Sequence, residues 1–204
     1  MRETELVPDV PASQPVSARS YAPIIRLHLH RLVVLANADH ARFTRSDGRP
    51  EYRNRRVAVA LAQGAALHFV NGINGVKDLD VWTFYAPLPG IGFPADKRET
   101  HADFGPSEFG RQLYDFHTAR NDAERARWRR WNAYTGRRVD FLMRALAVSP
   151  DSDATVIIAA LRKWLTAGSL ASGAKKPSAW HLARKAAVLL WPDERQGTII
   201  WPPP

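Results

Sequence analysis

The chain has 204 residues, 45% of them hydrophobic, enough for a domain of ordinary size with a buried core. Lys and Arg number 29 against 20 Asp and Glu, and the resulting charge of +9 favours anionic partners such as nucleic acid or nucleotide phosphates. Cysteine is absent, which excludes disulfides, thiolate zinc sites, iron–sulfur clusters and a cysteine nucleophile.

Residues 1–22 carry Pro8, Pro11 and Pro15 among small and polar side chains, so a mobile N-terminal tail is expected. They hold no apolar signal core, and no later run approaches the ~18 apolar residues that span a bilayer. A cytoplasmic protein without a membrane partner is the expectation. The core is expected over residues 23–148, followed by a C-terminal helical segment and extended tail over 149–204. Ile24 to Ala36 fits both periods, and its length predicts a helix. Glu51 to Gln63 also reads as a helix, Ala-rich at its end and stopped by Gly64.

Two strands are predicted next, Ala65–Val70 and Val76–Ala86, joined by a turn that carries Asn71-Gly72. The Pro- and Gly-rich stretch 86–110 reads as a long loop, with Phe93, Phe104 and Phe109 packing it down. Helical spacing returns before Tyr134, and Gly136 stops it. A third strand is predicted over Arg137–Ala147. Two helices close the chain, Asp153–Ala167 and Ala179–Trp191, before an extended WPPP end. The expected fold class is α/β (α+β): a small mixed sheet of about three to five strands flanked by helices.

The chemistry concentrates in Asp78-Leu79-Asp80. Strand alternation puts both carboxylates on one face and Leu79 on the other. Paired acids repel one another, and a hard divalent cation shared between them removes that penalty. Asp140, between Val139 and Phe141, is a third acid in an apolar strand-like run and needs a partner if it faces inward. The seven histidines show no metal-ligand spacing, and no P-loop or Rossmann fingerprint occurs.

The order of these features, over Glu51 to Leu146, resembles the nucleotidyltransferase fold of the DNA polymerase beta type, its minimal bacterial versions above all. The resemblance implies that Asp78, Asp80 and Asp140 hold Mg²⁺ (or Mn²⁺) and are catalytic. It implies that Asn71-Gly72 is the phosphate turn, although Ile73 stands where the family has serine. An NTP is then the donor, with Lys77, Arg137 and Arg138 as further phosphate contacts. The acceptor could be RNA, DNA, a protein hydroxyl or a small molecule.

Blander readings stand beside these. Asp78 and Asp80 can be the solvated face of an edge strand with Lys77 as counter-charge, and Asp140 can pair with Arg137, Arg138 or Arg144. The cluster Arg125, Arg127, Arg129 and Arg130, interleaved with Trp128, Trp131 and Tyr134, can bind nucleic acid or simply be a solvated helix with buried tryptophans. The rival function is a non-enzymatic nucleic-acid- or partner-binding protein on a degenerate nucleotidyltransferase-like scaffold.

Overall fold

A computed structural model describes residues 21–73, 75–94, 100–110, 113–134, 136–171 and 186–202. In chain order they form α1 (Arg26–Arg45), β1 (Arg56–Ala62), α2 (Gln63–Asn71), β2 (Leu79–Tyr85), β3 (Thr100–Pro106), α3 (Asp122–Ala133), β4 (Gly136–Ala145), α4 (Ala154–Ala171), β5 (Ala187–Trp191) and β6 (Ile199–Trp201). The fold is mixed α/β, as the sequence predicts. Among the described residues the sheet has six strands, in the order β3-β4-β2-β1-β5-β6, where three to five were expected. β2 and β4 run parallel, and the other neighbours pair antiparallel.

Both faces of the central strands are covered, and this explains the errors of the sequence reading. Along β1, Val59 and Leu61 pack with Leu29 and Leu32 of α1, while Ala58 and Ala60 pack with Ile157 and Leu161 of α4. A strand buried on both sides loses the polar alternation that marks a strand. Its sequence, RVAVALA, therefore reads as an Ala-rich helix, and the helix expected over Glu51–Gln63 is a short 3-10 turn (Pro50–Tyr52) followed by β1.

The strand expected over Ala65–Val70 is likewise α2, with Ala65, Ala66 and His68 buried. Gly64 thus opens a helix, where the sequence reading had it end one. Gly72 closes α2 in the left-handed conformation at φ 66°, its N–H donating to His68 O at 2.7 Å. The long loop over 86–110 contains the edge strand β3.

The final predicted helix is β5 where it is described. Val188, Leu189 and Leu190 are fully buried beside β1, and β6 pairs along β5; of the extended end expected over Trp201–Pro204, Pro203 and Pro204 lie outside the described residues. Residues 1–20 and 172–185 lie outside the described residues. Tyr21 and Ala22, counted with the tail by composition, are docked: Ala22 N donates to Glu108 O at 3.2 Å, and Ala22 O bonds His68 Nε2 at 2.9 Å. No helix among the described residues is long and apolar enough to cross a membrane.

Candidate functional site

The parallel pairing of β2 with β4 sets Asp80 opposite Asp140 in register, on strands about 4.8 Å apart. Leu79, Val81, Val139 and Phe141 enter the α1 side of the core. Alternation therefore turns Asp80 and Asp140 together to the opposite face, the one that also bears Trp82 and Phe84. Asp78 lies one residue before β2, and Arg138 ties it in. The Arg138 guanidinium stands 2.8 Å from Asp140 Oδ2 and 3.6 Å from Asp78 Oδ2, and Lys77 Nζ lies 3.2 Å from Asp78 Oδ2.

Two cations thus face three carboxylates in a half-buried setting. Burial, with Asp78 and Asp140 as close like charges, pushes the Asp80 carboxyl up to about 7. Among the described residues no group of three or more His, Asp or Glu side chains stands ready as a metal-ligand set. In this arrangement Arg138 bridges Asp78 and Asp140. The donor chemistry nonetheless fits a hard cation. All three side chains offer carboxylate oxygen, the preferred ligand of Mg²⁺ and Mn²⁺, and Asp80 is the acid whose charge is least compensated.

The remaining predicted residues separate. Arg137 alternates away from Arg138 and is 1% exposed, with Nη1 donating to Lys77 O at 3.2 Å. That bond braces the segment bearing Lys77 and Asp78. Asn71 and Gly72 terminate α2, where Asn71 Oδ1 accepts from Ile73 N at 3.0 Å. A helix C-terminus presents carbonyls and a negative dipole end, the wrong polarity for phosphate.

The opposite end of α2 has the right polarity, and the sequence reading missed it. Ala62 is the register partner of Asp80, but α2, which starts after it, packs on the α1 side of the sheet, opposite the face to which Asp80 turns. Gln63 holds φ 60°, a rare backbone state for a side-chain-bearing residue. Next to it, a Cβ built on Gly64 meets no atom within 4 Å, while the Gln63 N–H donates to Ala186 O at 2.9 Å. The glycine after Gln63 was the available signal, and it was read as a stop.

On α3, Arg125 pairs with Asp122 at 2.8 Å and Arg127 with Glu124 at 3.6 Å. Arg129 lies over the Phe116 ring at 5.3 Å. Of the four predicted arginines, Arg130 lines a cavity of about 400 Å³ that Asp78, Lys77 and Arg138 also line. Trp131, from the aromatic stripe, is a wall of that cavity, with Lys77, Arg127 and Arg138 over its ring at 4.8, 4.9 and 4.6 Å. Compared with known protein families, with curated proteins and with solved structures, the chain has no significant match in any of the three.

Proposed function

We propose that the protein is a metal-dependent nucleotidyltransferase that moves a nucleotide from an NTP to an acceptor hydroxyl. The observation that carries this reading is the side-by-side setting of Asp80 and Asp140 on parallel strands, joined by Asp78 and flanked by a cation-lined cavity. Asp78, Asp80 and Asp140 would hold Mg²⁺ or Mn²⁺, which supplies charge neutralisation at the phosphates and at the leaving pyrophosphate.

The chain's own residues do the rest. Lys77 and Arg138 turn from the carboxylates to phosphate oxygens. Arg137 is a positioning residue that acts through the Lys77 carbonyl. Asp140 accepts the acceptor's hydroxyl proton as the new O–P bond forms and the bond to pyrophosphate breaks. An in-line displacement of this kind needs little from the protein beyond orientation and charge stabilisation.

The test is Mg²⁺- or Mn²⁺-dependent transfer of α-labelled nucleotide, compared between the native chain and the double variant Asp78→Ala, Asp80→Ala. Label transfer should fall at least 100-fold in the variant; equal transfer in both removes the catalytic claim.

One observation favours the rival reading, a basic binding protein on a degenerate scaffold. Arg138 already neutralises Asp78 and Asp140, as a purely structural ion pair would. Nucleic-acid binding that is independent of divalent metal, together with absent label transfer, decides for the rival.

A further inference from the structure

The cavity beside the carboxylates combines two kinds of lining. Lys77, Asp78 and Arg138 are charged, and next to them stand the rings of Tyr114, Trp131 and Tyr134. The aromatic part is built rather than incidental. Asn132 grips the backbone of Tyr114 with both amide atoms: Oδ1 accepts from Tyr114 N at 3.0 Å, and Nδ2 donates to Tyr114 O at 2.7 Å. The Tyr114 ring then stacks on Trp128 at 5.0 Å with planes 19° apart, and meets Trp131 at 5.3 Å.

Gly136 completes the wall. A Cβ there would come within 2.8 Å of the Tyr134 hydroxyl and 2.9 Å of the Asp103 carboxylate, so any other residue would push that edge out of place. Tyr134 remains 43% exposed although a large aromatic gains by burial. Three rings line one cavity with Lys77 and Arg138 directly beside two of them, a lining that suits a ligand with both a planar and an anionic part.

We propose that the aromatic part of the cavity binds the nucleobase and ribose of the NTP, with Trp131 and Tyr134 as its stacking walls and the phosphates directed to Lys77 and Arg138. The proposal rests on the nucleotidyltransferase reading. A volume of about 400 Å³ suits it, because small-ligand sites start near ~300 Å³. Stacking tolerates every base, so the walls give affinity for nucleotides as a class.

The experiment is calorimetric titration of the full chain, with Mg²⁺ present, against ATP, GTP, CTP and UTP and against inorganic tripolyphosphate, the same anion without base or sugar. At least one NTP should bind about tenfold more tightly than tripolyphosphate, the increment of a single base–aromatic stack. Trp131→Leu and Tyr134→Leu should each bring the ratio to within about twofold, whereas Trp131→Phe and Tyr134→Phe keep it. Lys77 and Arg138 lie over Trp131, so the Tyr134 pair is the cleaner arm, and it decides the matter if Trp131→Leu loses its fold by circular dichroism.

A ratio near one in the native chain, or one that survives both leucine variants, overturns the base site and leaves nucleotidyl transfer standing. Failure of every NTP and of tripolyphosphate to bind overturns both.

Discussion

Asp80 is the residue on which the site's electrostatics turn. Its carboxyl is raised from 3.8 to about 7, through burial first and then through Asp78 and Asp140. A raised acid retains its proton in the folded state after the unfolded chain has released it. Folding therefore loses stability as pH rises from about 4 to about 7, and the loss is complete above that. Asp80→Asn removes the penalty. In metal-free buffer at pH 8 the variant should melt roughly 5 °C higher, on the order of 2 kcal/mol, and the two proteins should converge near pH 4. Parallel melting curves at both pH values would mean that Asp80 is not in this environment.

Glu124, buried at the start of α3, shows the opposite effect. Hydrogen bonds from the Arg120 side chain and backbone hold its carboxyl down at about 2. Asn121 caps the same turn by accepting from Glu124 N at 2.8 Å. The basic helix is therefore anchored at its start by an acid. The arginines nearer the cavity are Arg127, on the Trp131 ring, and Arg130, in the lining.

Among the elements, β1 pairs with β2 and so holds the strand that carries Asp80, and α2 follows β1 directly. α2 has nine residues, too short to be stable alone, so its ends matter. Gly72→Ala keeps the space over the residue free but forces a Cβ into the left-handed conformation. It should cost about 1 kcal/mol in urea denaturation, with an unchanged m-value. No loss would show that the αL closure of α2 is wrong.

These two elements are also where sequence patterning misleads. Period-based reading presumes a solvent side, and RVAVALA has none because α1 with α2 and α4 cover opposite faces of β1. Gly64 and Gly72 mark real boundaries, but a glycine does not say which kind of element lies on either side of it. Amphipathic or capped segments were legible: α1, α3 and α4 lie where helices were expected, and β2 and β4 where strands were.

For the molecule as a whole, the charge of +9 is unevenly used. Lys77 and Arg138 face carboxylates, while α3 carries its arginines on the outside, two of them against Asp122 and Glu124. Single-stranded nucleic acid should bind through that face, with log K falling against log salt at a slope of about −2. The triple variant Arg127→Ala, Arg129→Ala, Arg130→Ala should flatten the slope by about one or more. An unchanged slope places the binding elsewhere.

Residue type alone determined the inventory: three aspartates with hard carboxylate oxygens, a surplus of arginine, and tryptophans three residues apart. Those properties belong to side chains and to spacing of a few residues, and they persist in any fold. Tertiary structure decided the partnerships. The parallel pairing of β2 with β4 brings residues 80 and 140 together across 60 positions. Register and strand direction are set by which apolar faces can be buried together, a global condition that no local window contains.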